Sequence, residues 1–368
     1  MSGAPPRGVV DPDFWRDRRV LLTGHTGFKG AWLALWLQAL GANLTGFSAG
    51  VPTQPCLYQL ARVGEGMGSI EGDVSNPEAV AAALTAATPD VVIHMAAQPL
   101  VRRSYAEPRE TFQINVMGTV NVLDAVRQHP EGVRAVVNVT SDKCYENREW
   151  EWSYRESEPM GGYDPYSSSK GCAELVTSAF RRSFFSEPDG VRVASARAGN
   201  VIGGGDWGAD RLVPDIMRAA LAGEQLRVRN PNSIRPWQHV LHPLSGYLVL
   251  VQALWDSPEH ACGWNFGPSD EDARSVGWIV ERMSELWPAD LGSVCDAGLH
   301  AHEARYLKLD SSRARARLGW RPPVGIDRTL QSIVEWYREL CAGADMRSVT
   351  LRQIETLQHE YAVSAATQ

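Results

Sequence analysis

Residues 18–41, RRVLLTGHTGFKGAWLALWLQALG, read as a buried strand, a glycine turn and a helix. Val20, Leu21 and Leu22 form the short apolar strand, and Gly24, Gly27 and Gly30 follow at spacing three. Leu33, Leu37 and Leu40 then recur at helical intervals. Glycines at such a turn let the backbone approach a pyrophosphate closely, and the helix N-terminus adds N–H groups and the positive end of its dipole. The spacing is GxxGxxG rather than the GxGxxG of the commonest dinucleotide fingerprint. The competing reading is a tight turn that serves only close helix packing. An acidic residue about twenty positions further on would bind the adenosine ribose of NAD. After the second apolar run, Leu44 to Phe47, this chain has Ser48, Ala49 and Gly50, so that position leaves NAD and NADP both open. Asp73, in the run IEGDVS, is either an adenine contact or a plain turn aspartate.

Outward from that unit, apolar runs alternate with helical patterns up to residue 200. LTGFS (44–48), DVVIHMAA (90–97), VRAVVNVT (133–140) and VRVASARAG (191–199) read as strands, and ETFQINVMGTVNVLDAVRQ (110–128) carries helix periodicity. The alternation predicts a Rossmann-type, doubly wound parallel α/β sheet with a smaller C-terminal substrate-binding lobe. The expected organisation is a disordered lead over 1–13, a cofactor-binding domain over 14–200, and a lobe over 201–345 with some segments returning to the large domain. A C-terminal helix and tail follow over 346–368, amphipathic from about Ser348.

Ligands of open α/β sheets bind at the carboxyl ends of the strands. The run ending in Thr140 therefore places Ser141, Asp142 and Lys143 in the crevice, unless Ser and Asp merely cap a turn there. A second chemical pattern lies in DPYSSSK (164–170). Asp164 and Pro165 suit an N-cap and first helical position, so Tyr166 and Lys170 share a helix face at i and i+4. A fixed positive charge beside a phenol favours its phenolate and suits it to proton transfer. Without such partners the pair would be a solvated helix face.

With 44% hydrophobic and 21% charged residues, the composition is that of an ordinary globular enzyme. No apolar run is long enough to span a bilayer, and MSGAPPRGVV lacks the apolar core of a signal peptide. The six cysteines (56, 144, 172, 262, 295 and 341) are scattered without a CxxC pair, which suggests reduced thiols in the cytoplasm and no metal site. His300 and His302 stand two apart with no further ligands near them and read as surface residues. A net charge of −7 argues against an extended nucleic-acid surface but leaves room for an anionic substrate held by local arginines.

The glycine turn, Ser141 and Tyr166-x-x-x-Lys170, in that order, resemble the extended short-chain dehydrogenase/reductase family. The resemblance covers nearly the whole chain, including HMAAQ (94–98), Asn115, RAGNVIGGGD (197–206) and LDSSRARARLGWRPPVGIDRTL (309–330). Thr140-Ser141-Asp142-Lys143 looks like the nucleotide-sugar 4,6-dehydratases, since plain 4-epimerases lack the acidic residue after the catalytic Ser/Thr. TSDKCYENREWEWSYRE (140–156), RAGNVIGGGDWGADRLVPD (197–215) and IRPWQHVLHPLSGYL (234–248) are similar to members acting on CDP-glucose. Members acting on dTDP-glucose have Asp-Glu where this chain has Asp142-Lys143, which leaves the identity of one catalytic base open.

What the resemblance implies is a hydro-lyase that makes a 4-keto-6-deoxy sugar for deoxysugar and lipopolysaccharide O-antigen biosynthesis. NAD would be its tightly held cofactor, and a homodimer or dimer of dimers its assembly. Cofactor contacts are implied for Gly24, Thr26, Gly27, Phe28, Lys29 and Gly30 in the first turn. Asp73, Val74, Ala96, Ala97, Gln98, Asn115 and Thr140 would add to them, together with Tyr166 and Lys170. Substrate contacts are implied for Gln98, Asn200, Arg211, Leu212, Arg235 and His239. Tyr166 would take the C4 hydroxyl proton, Ser141 would position that hydroxyl, and Asp142 would protonate the departing C6 hydroxyl. Lys143 would act as the C5 base or as a cation stabilising the enolate.

Overall fold

A computed structural model describes residues 8–289, 292–296, 298 and 306–366 of the chain. His300 and His302 lie outside the described residues. A short helix, α1 (Pro12–Trp15), follows Asp11, whose carboxylate accepts from the Asp13 N–H. Val10 and Trp15 are buried, and Trp15 Nε1 donates to Gln252 Oε1 at 3.0 Å. Residues 8–13 thus depart from the expected disordered lead, because apolar side chains anchor them to the body of the protein.

The segment 18–41 folds as β1 (Arg19–Thr23), the glycine turn and α2 (Phe28–Ala39). Next come β2 (Asn43–Ser48), α3 (Leu57–Leu60), β3 (Gly68–Glu71), α4 (Pro77–Ala87) and β4 (Val91–His94). The periodic stretch 110–128 is one helical path: after α5 (Val101–Ala106) it runs through α6 (Pro108–Phe112), a π-turn at Gln113–Met117, and α7 (Gly118–Gln128). Then follow β5 (Ala135–Val139), the long helix α8 (Pro165–Ser183) and β6 (Arg192–Arg197).

Beyond residue 200 the elements shorten. They are β7 (Val201–Ile202), α9 (Leu212–Ala222), β8 (Leu226–Val228), β9 (Ile234–Pro236), β10 (Gln238–His239), α10 (Leu241–Asp256) and β11 (Gly263–Asn265). The helices α11 (Val276–Leu286), α12 (Ile326–Cys341) and α13 (Met346–Ala366) complete the described chain.

Seven parallel strands make the central sheet in the order β11–β6–β5–β4–β1–β2–β3. Val20 of β1 pairs with Leu44 on one side and Val91 on the other. Strands covered on both faces have no solvent side, which is why β4 and β5 are apolar runs rather than alternating ones. Their side chains still alternate between two cores. Val20, Leu22, Ile93 and Val137 pack with α2, α10, α12 and α13, and Leu21, Val92 and Val136 pack with α4 and α7. The strand order reverses between β1 and β4, and the crevice at their carboxyl ends is where such sheets take ligands. The seventh strand, β11, pairs with β6. It comes from the stretch beyond residue 200 and is three residues long, too short to show in the hydrophobic pattern.

Candidate active site

Gly24 adopts φ +78°, and a Cβ there would lie 2.8 Å from the Ala96 backbone nitrogen. A side chain at Gly30 would meet the Gly24 carbonyl at 2.0 Å. Both glycines are required for the turn to close against α2 and the residues after β4. Gly27 is the N-cap of α2 and brings no side chain to the cap. The first-turn N–H groups are thus left for an anion, as a dinucleotide pyrophosphate requires. Thr26 ties this turn to the end of β2, its hydroxyl donating to the Gly50 carbonyl at 2.6 Å. Phe28 packs toward Gly203.

The second half of the site is built by β5 and α8. Asp164 caps α8, accepting from the Ser167 N–H at 2.9 Å, with Pro165 in the first turn. Tyr166, Lys170 and Glu174 then fall on one face at spacing four, and all three are buried. Directly after β5, the Ser141 hydroxyl donates to Asp142 Oδ1 at 2.9 Å and also reaches the Tyr166 phenol. Asn200, held at φ +48°, points its amide nitrogen at Asp142 Oδ2 from 3.4 Å. Gly199 makes room for that carboxylate, since a Cβ there would lie 1.7 Å from Oδ2. Asp142, Ser141, Tyr166 and Asn200 therefore form one connected group.

Burial dominates the electrostatics of this group. It pushes the Asp142 carboxyl above the ordinary carboxylate range, against the pull of Lys143 and the Ser141 hydrogen bond. It raises the Tyr166 phenol to about 12, with Ser141 opposing, and lowers Lys170 to about 8, with Glu174 opposing. The protein's own groups thus hold Tyr166 as a neutral phenol, unlike the phenolate expected from the sequence. Lys170 sits nearer the influence of Glu174, and desolvation of the ring outweighs what positive charge is present.

Arg211 is the N-cap residue of α9 and meets Asp206 Oδ2 at 3.1 Å, and its charge reaches both Tyr166 and Lys29. Leu212, the first residue of α9, is partly buried beside it. Arg235 on β9 bears on Asp142. Lys143 is partly buried in the turn after Asp142, its N–H donating to Ser141 Oγ.

Two expected substrate contacts, Gln98 and His239, are engaged within the protein, and Asp73 takes the turn arrangement that its sequence left open. The Gln98 amide is committed locally: Nε2 donates to Thr111 Oγ1 and the Leu100 carbonyl, and Oε1 accepts from the Leu100 N–H. It shapes the loop after β4. His239 is buried, with its ring edge-on to Trp32 and its Nδ1 accepting from the Leu241 N–H. It lines a cavity of about 430 Å³ between α12 and α13 and does not join the Asp142 group. Asp73 accepts from the Ser75 N–H at 2.8 Å as a turn aspartate does, while buried Val74 receives Asn121 through its carbonyl.

Several supporting residues, Asn115 apart, have no counterpart among the sequence expectations. Glu174 accepts from Thr140 Oγ1, Ser195 Oγ and Arg197, joining β5, β6 and α8 beneath Lys170. Its spacing of four from Lys170 is a usable signal. Arg197 continues to Tyr145, and Tyr145 to Asn265 of β11. Asn115, in the π-turn, donates to the Gln98 carbonyl and to Ser169 of α8, which locks the loop carrying Ala96 and Ala97 to the helix carrying Tyr166. Tyr247 of α10 accepts from Lys29 Nζ at 2.8 Å, and nothing in the local pattern marks it.

Residues 20–260 match the profile of the NAD dependent epimerase/dehydratase family. The chain is 53% identical over 351 residues to the CDP-glucose 4,6-dehydratase of Salmonella typhimurium, covering 94% of this chain and 98% of that one. It is 26% identical to the dTDP-glucose 4,6-dehydratase of Xanthomonas campestris pv. campestris, over 86% of this chain and 92% of the relative. Among solved structures, a dTDP-glucose 4,6-dehydratase from Streptomyces venezuelae with NAD and TYD bound shares the fold. Its TM-score is 0.75 at 24% identity, covering 89% of this chain and 99% of that one.

Proposed function

The chain belongs to the NAD dependent epimerase/dehydratase family, and from that premise we propose that it is a hydro-lyase converting CDP-D-glucose to CDP-4-keto-6-deoxy-D-glucose and water. Its cofactor is NAD, which when bound supplies the acceptor that turns C4 into a ketone and later returns the same hydrogen to C6. The glycine turn and the uncapped start of α2 hold the pyrophosphate.

Tyr166 takes the C4 hydroxyl proton, and Ser141 orients that hydroxyl. The cationic nicotinamide ring, when bound, would add to Lys170 and Arg211 in favouring the phenolate that the protein's own groups do not hold. A ketone at C4 acidifies the C5 proton. Lys143, next to Asp142, serves that step as base or as enolate counter-charge. Asp142 gives its proton to the departing C6 hydroxyl. That acid is the observation that carries the dehydratase reading: its carboxyl is buried, raised in pKa by burial, and touches Ser141. A 4-epimerase has no leaving hydroxyl to protonate. Arg211, Arg235 and Asn200 receive the sugar diphosphate, arginine suiting it through bidentate contact.

We assign the protein to the cytoplasm on its six unpaired cysteines. A twofold dimer is proposed through α8, where Leu175 and Ala179 are exposed on the face turned away from the site. The product measurement is direct. Incubation with CDP-, dTDP-, GDP- and UDP-glucose should give the alkali-induced absorbance of a 4-keto sugar with the CDP form in preference. A keto sugar from a different nucleotide alone, or from none, overturns the reading.

A further inference from the structure

Lys29 has a setting that the proposed reaction steps leave unused, and the role it suggests rests on the NAD-dependent reading. It is the second residue of α2, so its side chain leaves the turn that holds the pyrophosphate. Instead of ending there, it runs to α10, where Nζ donates to the Tyr247 hydroxyl at 2.8 Å and lies 5.0 Å from the ring centre. Lys29 as a whole is partly buried. Among the described residues it forms no ion pair.

The groups that face it come from four elements. Lys170 on α8 and Arg211 at the start of α9 repel its proton, Asp142 after β5 attracts it, and neutral Tyr247 on α10 accepts from it. Burial, with those two cations, brings the amine down to about 7, where it exchanges a proton readily near neutrality. Lys170 and Asp142 also belong to the reacting group around Tyr166. Lys29 therefore links the start of α2 to the group around Tyr166, beside which a bound nicotinamide would lie, a cation when oxidised and neutral when reduced.

We propose that the Lys29 amine counterbalances the nicotinamide, giving up its proton when the oxidised ring binds and keeping one when the reduced ring is present. The proton exchanges with solvent, to which Lys29 is only partly closed. The net charge of the site then stays nearly constant through an internal redox cycle. Both cofactor forms are retained with similar affinity, which an enzyme that regenerates its cofactor at every turnover requires.

Calorimetric titration of the sugar-free protein with NAD+ and with NADH, at pH 7 in two buffers of different ionisation enthalpy, counts the protons exchanged. NAD+ should release a fraction of a proton, up to about half, and NADH should take up a similar fraction. Lys29→Met should abolish the uptake with NADH, cut the release with NAD+ to the share that Tyr166 supplies (measured in Tyr166→Phe), and shift the affinity ratio about tenfold against NADH, the equivalent of one pKa unit. Lys29→Arg, permanently charged, should weaken NAD+, spare NADH and exchange no proton. Melting temperatures of the variants confirm that each is folded. Proton uptake with both forms, or an equal loss of both affinities in Lys29→Met, overturns the proposal and makes Lys29 a plain diphosphate cation. A wild-type protein that binds neither form overturns the NAD-dependent reading itself.

Discussion

The glycine turn and the wall made by β5 and α8 reach the same crevice by opposite means. At the turn the working atoms are backbone, and the sequence removes side chains: Gly24 and Gly30 leave no space for a Cβ. On the wall the working atoms are side chains, and the sequence buries polar groups that a core ordinarily excludes. Tyr166, Lys170, Glu174, Asp142 and Arg197 all lie there, each less than a tenth exposed. One region fails when an atom is added, the other when an atom is lost. Burial of the wall is also what sets its chemistry, raising Asp142 and Tyr166 and lowering Lys170.

Breaking the wall at its reacting atom should have the largest effect. Tyr166→Phe removes the proposed acceptor of the C4 hydroxyl proton, and turnover should fall by about 10²–10⁴-fold with folding and NAD affinity preserved. Steady-state kinetics beside a cofactor titration checks this, and near-normal turnover in the folded variant would rule the role out.

Arg197→Met tests the buried support instead of the chemistry. It strands the Glu174 carboxylate, which Arg197 contacts at 2.7 Å, and should destabilise the protein by ~3–5 kcal/mol in denaturant titration at neutral pH. The loss should shrink in acid. Glu174 lies below its ordinary pKa chiefly through Arg197, so the pair stabilises the fold above the ordinary glutamate range, and that contribution disappears as Glu174 protonates. A pH-independent loss would assign the effect to packing alone.

Asp142→Asn keeps the shape of the wall but cannot donate to the leaving hydroxyl. Product formation should drop by roughly 10²-fold while NADH and a 4-ketohexose accumulate on the enzyme, seen by rapid-mixing absorbance and mass analysis of the quenched sugar. In the wild type, water loss should slow as pH rises through the raised Asp142 pKa, because only the protonated form is the acid. A variant that never forms NADH would move Asp142 to the oxidation step.

The turn gives the smallest effect. Gly24→Ala adds one carbon at φ +78°, 2.8 Å from the Ala96 backbone. It should weaken NAD by about tenfold, with a melting shift of a few degrees from the strained backbone. Unchanged affinity would mean that the turn yields more easily than its geometry indicates.

Legibility in the sequence followed the same division. The glycine turn, the strand ending at Thr140 and the Asp164-capped helix are local, each set by residues within one or two turns of chain, and all three folded as read. The residues missed depend on distant partners. Glu174 matters because Arg197 and Thr140 converge on it, and Tyr247 because Lys29 reaches it across more than two hundred residues. The internal engagement of Gln98 and His239 has physical reasons as well. Gln98 closes its own loop, and His239 sits on a short strand whose pairing with β7 turns its ring toward Trp32.

One consequence concerns modularity. Trp32 of α2 donates through Nε1 to the Gly204 carbonyl, and the missing side chain of Gly204 is replaced by the ring of Trp336 from α12. Arg347 of α13 reaches back to Gln38 of α2 at 2.8 Å, and β11 closes the edge of the sheet beside β6. The helix that presents the cofactor turn is therefore clasped by the last fifth of the chain. Chimeras that exchange the C-terminal region for that of a relative with another sugar specificity would import a foreign lining for α2 along with the new substrate pocket. Retargeting the enzyme by grafting should proceed through individual pocket residues, because the natural seam for a domain swap does not exist.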